Sequence, residues 1–182
     1  ALISGGRPLI GSLAAPARGE LRHAIAGRGS WRNGERLVAS ERQDFPGARV
    51  PTDALPKEDR DLAIVDKPNS IALRAAMVAA NEADLLATLR WGWEWDIGAA
   101  ALIAREAGAA TTDAFGRPLA YNKRDPRAFG LLISAPGIHG DAVDRLGDRL
   151  AYCDQCAANL LLRERFADID PRWNIAPYAM HR

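Results

Sequence analysis

The stretch that most constrains this chain is DIGAAALIAREAG, from Asp96 to Gly108. Alanine is the strongest helix former. Here it recurs at Ala99, Ala100, Ala101, Ala104 and Ala107, giving a small-residue face that allows close packing on a sheet or another helix. Asp96 is predicted as the N-cap, where a carboxylate accepts a backbone N–H and offsets the positive helix end. Gly108 is predicted just past the last turn, the position where glycine commonly ends a helix. Capping leaves one carboxylate oxygen of Asp96 free to face a cation, so capping and metal ligation remain compatible. The residues alone make capping the simpler account.

The surrounding chain alternates strand and helix signals. ALISGGRPLIG reads as two apolar runs joined by a turn over Ser4–Pro8, and Leu9–Ala14 and Glu20–Ile25 read as strands around the APARG turn. Asn33-Gly34 is a hairpin signal, so the opening region is a β-meander. Residues 39–60, with Pro46, Pro51 and Pro56, read as loop with one short strand. Leu62–Val65 follows as a strand. Ser70 is predicted to cap a helix running to Ala80. Ala83–Leu89, Ala109–Thr112 and Gly130–Ser134 read as strands, and Ile138–Leu150 as a helix. The alternation implies a layered α/β (α+β) domain.

Composition narrows the function classes. Of 182 residues, 48% are hydrophobic and 26% charged, and the net charge is +1. That balance gives no basic excess for a nucleic acid polymer. No apolar run approaches the roughly 18 residues of a membrane span. The two cysteines, Cys153 and Cys156 in CDQC, stand without a second CxxC and read as reduced thiols. They fit a reducing compartment, and with no signal peptide we expect a cytoplasmic protein. The chain opens at Ala1 as though in the middle of a domain, which reads as a processed or truncated chain.

Two motifs carry a family resemblance. WEWDIGAAALIAREAGA resembles the C-terminal signature of the inositol monophosphatase superfamily, W-D-x-[AG]-[AG]-x-x-x-[IL]-x-x-E-A-G-G. It is carried by Trp95, Asp96, Gly98, Ala99, Ile103, Glu106, Ala107 and Gly108, with Ala109 in place of the second Gly. GRGSWRNGERL, Gly27 to Leu37, is similar to the family's G-x-G-A-[FW]-x-N-G-x-x-[IL], with Ser30 replacing Ala. APARGELRHA resembles its strand–turn–strand, and PNSIALRAAMVAANEAD a family segment around a helix start. The resemblance covers about residues 1–150.

The resemblance implies the C-terminal part of the alternating α-β-α-β-α sugar-phosphatase fold, with an incomplete first sheet. Residues 1–60 would be the remaining meander and loop, 61–150 the C-terminal α/β subdomain and 151–182 an appended tail. It implies a Mg²⁺-dependent phosphomonoesterase acting on small phosphates, of the 3′(2′),5′-bisphosphate nucleotidase or inositol monophosphatase type. The partner would be a nucleotide bisphosphate or inositol phosphate, and the protein a homodimer. By the same resemblance Asp96 is a metal ligand that also meets a substrate hydroxyl. Asn69, Ser70 and Ile71 match a substrate-contacting turn at a helix N-terminus, with Asn69 where Gly is usual. Trp95 is expected to pack, and Arg90 and Glu94 to be solvated loop charges.

One departure bears on activity. The family's D-P-[IL]-D-G-T metal motif is absent: Asp125-Pro126 precedes Arg127, and Asp170-Pro171 precedes Arg172. One carboxylate does not hold hard cations that take many oxygen ligands. No catalytic set is complete, and the chain is read as a C-terminal portion of an enzyme, or as a non-catalytic remnant acting as an interaction module. PRWNIAP, Pro171 to Pro177, resembles a string in SOS-response-associated peptidases and is read as an extension without function.

Overall fold

A computed structural model describes the backbone of residues 1–152 and the side chains of residues 1–147. The CDQC pair and PRWNIAP lie outside the described residues. The chain divides into two compact units, Ala1–Leu146 and Gly147–Arg182. The architecture below is that of the first.

Five antiparallel strands form the predicted meander: β1 (Leu2–Ser4), β2 (Arg7–Ala15), β3 (Glu20–Ile25), β4 (Gly29–Arg32) and β5 (Glu35–Arg36), paired in sequence order. The APARG turn becomes a single helical turn, Pro16–Arg18, between β2 and β3. Asn33 and Gly34 both take positive φ, 52° and 88°, in the two-residue loop joining β4 and β5. That is the conformation a tight hairpin with right-handed twist demands.

The loop region then yields β6 (Arg49–Pro51), which pairs in parallel with β7 (Ala63–Val65). Helix α1 (Ile71–Ala79) starts at the predicted cap: Ser70 Oγ accepts a hydrogen bond from the Leu73 N–H at 3.3 Å. Next come β8 (Leu85–Trp93), α2 (Glu94–Glu106), β9 (Ala110–Thr112), β10 (Arg127–Ser134) and α3 (His139–Tyr152). The second sheet is antiparallel in the order β8-β10-β9.

The hydrophobic pattern explains the layering. In β10, Leu131 and Ile133 join one core with α1, α2 and Ala24 of β3, whereas Leu132 joins a second core with Ala142 and Leu146 of α3. Alternate residues of a strand face opposite ways, so the short all-apolar run Leu131–Ile133 marks a strand buried on both faces. The described layers are therefore meander, α1 with α2, second sheet, and α3. Helix α2 is buried nearly all round: Ala100, Ala101, Leu102, Ile103 and Ala104 are all inaccessible to solvent or almost so. The Ala-rich face approaches β2 closely. A Cβ on Gly11 would lie 2.9 Å from the Ala99 carbonyl oxygen. Among the described residues no helix is long and apolar enough to cross a membrane.

Candidate functional site

Strand β8 runs directly into α2, and this moves the helix start. The N-cap is Trp93, without a side-chain cap bond, and the helix begins at Glu94. Asp96 is therefore the third residue of the first turn rather than the predicted cap. Pairing explains the difference. Trp93 is still in register with Arg127 of β10, and the Glu94 N–H donates to the Pro126 carbonyl at 3.0 Å. The sheet holds the backbone extended up to Trp93 and releases it there.

Asp96 is exposed and helps line a cavity of about 220 Å³. Ile71, the first residue of α1, lines the same cavity; β8 contributes Thr88, Arg90, Trp91 and Trp93. Asn69 and Ser70 stand just before α1 and are not among its lining residues. Ser70 is engaged as the α1 cap, and Asn69 Oδ1 accepts from Lys67 Nζ at 3.4 Å. Of the four residues matched to a substrate or metal role, Asp96 and Ile71 meet at one cavity.

The floor is shaped by a bulge. The β10–β8 register shifts between Phe129 and Leu131, where Gly130 has φ 73°. A Cβ there would sit 2.5 Å from the Thr88 carbonyl oxygen and run into Ala114 Cβ. Glycine is therefore required both by conformation and by space. Beside it, Thr88 Oγ1 accepts from the Leu131 N–H at 2.9 Å.

The mouth is aromatic. Trp93 and Trp95 stack with centroids 4.7 Å apart and planes 9° apart. Trp95 is 66% exposed, which corrects the expectation that it packs inside. It follows an extended Trp93, and both indoles project from the sheet–helix junction. Trp91 meets Phe129 edge-on at 5.2 Å, and the Arg127 guanidinium lies 5.5 Å from the Trp91 ring centre.

Two charged residues were expected to be solvated loop charges. Arg90 is exposed but belongs to β8. Glu94 is only 7% exposed. Its carboxylate accepts from the Asn122 N–H at 2.7 Å and pairs with Lys123 Nζ, which also donates to the Ala120 carbonyl at 2.9 Å. Burial of a carboxylate requires such partners, and they come from a loop distant in sequence. Glu94 thus ties residues 120–123 to the first turn of α2.

Glu106 belongs to the recognised motif, but the sequence reading assigned it no contact or function. Its Oε2 accepts from the Gly29 N–H at 3.0 Å. The two recognised motifs, GRGSWRNG and WDIGAAALIAREAG, are joined by this bond. The signal was present in their co-occurrence, but only the fold shows that they touch.

A hard divalent cation takes several oxygen ligands and keeps some waters. Asp96 is the sole carboxylate lining the cavity, and no group of three His, Cys, Asp or Glu side chains stands ready for a metal among the described residues. The donors present in these residues do not by themselves fit a metal centre.

The model of the inositol monophosphatase family matches residues 1–145. The chain belongs to the inositol monophosphatase family. Its similarity to the fructose-1,6-bisphosphatase/inositol-1-monophosphatase of Thermotoga maritima is 33% identity over 146 residues, covering 72% of this chain and 55% of that protein. Inositol monophosphatase 2 of Solanum lycopersicum is 32% identical over 127 residues, 60% of this chain and 47% of that one. The fold of this inositol monophosphatase family member matches staphylococcal IMPase-II bound to inositol monophosphate with a TM-score of 0.70 at 18% identity. That match covers 88% of this chain and 63% of the other. The chain spans about half the length of the curated relatives it matches, and its layers are a part of the full fold.

Proposed function

We propose that this chain is part of a Mg²⁺-dependent phosphomonoesterase that hydrolyses small phosphates, of the 3′(2′),5′-bisphosphate nucleotidase or inositol monophosphatase type. The observation that carries the reading is Asp96, a carboxylate in the first turn of α2 opening onto the cavity that Ile71 and Arg90 also line. The names of the Thermotoga and tomato relatives support the substrate class. The indoles beside Asp96 favour the nucleotide type, since every nucleobase presents a face that stacks on an aromatic ring. Arg90 suits the phosphate of either type. Asn69 and Ser70, directly before Ile71 in the chain, shape the start of α1 for a substrate hydroxyl or phosphate.

Asp96 supplies one carboxylate of the metal set this reading needs, and the described residues do not complete that set. The chain as it stands is expected to release little or no phosphate. A second reading is that of an interaction module. Leu2, Ile10 and Ile25 are direct neighbours across β1, β2 and β3, and all three are exposed. Such a ladder of aliphatic side chains suits protein contact. A homodimer is one form that contact could take.

Phosphate release from 3′-phosphoadenosine 5′-phosphate and inositol 1-phosphate, with and without Mg²⁺, separates the readings. The samples are the chain, the chain joined to a family segment bearing D-P-x-D-G-T, and that fusion carrying Asp96→Asn. Activity in the fusion alone, abolished by Asp96→Asn, supports the phosphatase. An inactive fusion, or one indifferent to Asp96→Asn, removes it and leaves the interaction module.

A further inference from the structure

Helix α2 starts without the device that normally fixes a helix start. Its N-cap is Trp93, whose side chain makes no cap bond, and the first N–H groups of a helix have no partner within it. A Ser, Thr, Asp or Asn at that position would supply an acceptor. Here the first turn is held from outside, by the connection between β9 and β10.

The Glu94 N–H donates to the Pro126 carbonyl at 3.0 Å. The buried Glu94 carboxylate accepts from the Asn122 N–H at 2.7 Å and pairs with Lys123 Nζ. Asn122 has φ 58°, a left-handed conformation that asparagine tolerates. Lys123 Nζ is itself steadied by the Ala120 carbonyl at 2.9 Å. One turn further along α2, the Tyr121 ring lies against Gly98, where a Cβ would be 3.3 Å from Tyr121 Cε1. Glycine weakens a helix interior, and at Gly98 it lets the ring approach.

Glu94 and Gly98 are four residues apart and so share one face of the helix. Asp96 is two residues from Glu94, about 200° round the helix axis. Contacts from Tyr121 to Lys123 on one side of the turn therefore direct Asp96 to the other side, onto the cavity that it lines.

We propose that residues 120–126 are a brace that sets the rotation of the first turn of α2 and thereby aims Asp96, with Glu94 and Lys123 as positioning residues. The brace stands on these contacts; its use in catalysis rests on the phosphatase reading.

The indoles of Trp93 and Trp95 flank Glu94 and stack with centroids 4.7 Å apart. Stacked rings shift one another's proton resonances upfield, so the NMR signals of these two indoles report the geometry of this turn. The test compares those signals in the full chain with Lys123→Ala, Lys123→Arg, Glu94→Gln and Asp84→Asn, each under conditions where it is folded. Glu94→Gln removes the charge without stranding one, and Asp84→Asn is a destabilising control at the opposite end of β8. Lys123→Ala and Glu94→Gln are expected to lose the upfield shift, and Lys123→Arg and Asp84→Asn to keep it. In the fusion bearing D-P-x-D-G-T, Lys123→Ala is expected to lower kcat about tenfold or more with KM unchanged, as misplacement of a catalytic group does, and Lys123→Arg to restore it. The brace is overturned if the indole signals of Lys123→Ala and Glu94→Gln match those of the native chain, or if Asp84→Asn moves them equally. An active fusion indifferent to Lys123→Ala overturns its role in aiming Asp96. An inactive fusion removes the phosphatase reading instead, and the brace then stands or falls on the indole signals.

Discussion

Replacing Asp84 with Asn is expected to loosen the second core in a way that pH reports directly. Asp84 is 1% exposed and sits at the entrance to β8. Its Oδ2 accepts from the backbone N–H and the Nε of Arg49, both at 2.9 Å, and its Oδ1 accepts from Arg49 Nη2 at 2.8 Å. The carbonyl of the same residue accepts from the Ala135 N–H, so one residue ties β6 to the end of β10. Burial by itself would raise the Asp84 pKa, but the Arg49 bonds outweigh it and bring the value from 3.8 down to about 2. That interval corresponds to about 2 kcal/mol of stabilisation by linkage. The folded value is the depressed one, so the stabilisation is complete above about pH 4 and is lost as pH falls towards 2. Asp84→Asn keeps the shape and removes the charge. At pH 6 it is expected to cost about 2 kcal/mol in urea unfolding, or about 4–8 °C in melting temperature for a chain of this size. The gap between the native chain and the variant should narrow steadily from pH 4 to pH 2. A gap that is absent at pH 6, or equally large at pH 2 and pH 6, refutes the argument.

Two further substitutions probe the site's scaffold. Glu94→Ala strands the Asn122 N–H and Lys123, and is expected to cost about 1–3 kcal/mol in urea unfolding; a double-mutant cycle with Lys123→Ala should show coupling, and additive losses would mean the pair contributes nothing. Gly130→Ala meets both a positive φ and the Thr88 carbonyl, so its loss in thermal unfolding should exceed the roughly 1–2 kcal/mol expected for Gly34→Ala, where a Cβ has nothing within 4 Å; equal losses would argue against a steric role for the bulge.

Local signals located most elements. The Asn33-Gly34 loop, the Ser70 cap and the all-apolar run Leu131–Ile133 each state their structure within a few residues, because turn dihedrals, cap bonds and strand periodicity are local properties. The family was equally legible, in the spacing of Trp95, Asp96, Glu106 and Gly108. Other features depended on partners far along the chain. The start of α2 was misplaced because pairing of Trp93 with Arg127 overrides the capping preference of Asp96. Glu94 looked like a surface charge until the fold brought Asn122 and Lys123 to it. Trp95 looked like core because aromatic side chains usually bury, yet the junction of β8 and α2 leaves it outside. The sequence by itself determined the elements, the family and the place of Asp96 near a helix start. Tertiary structure alone decided which charges are buried, that Glu106 bonds to Gly29, and that residues 120–126 meet the first turn of α2. Burial and charge pairing depend on proximity in space, and local spacing carries no record of which distant segments meet.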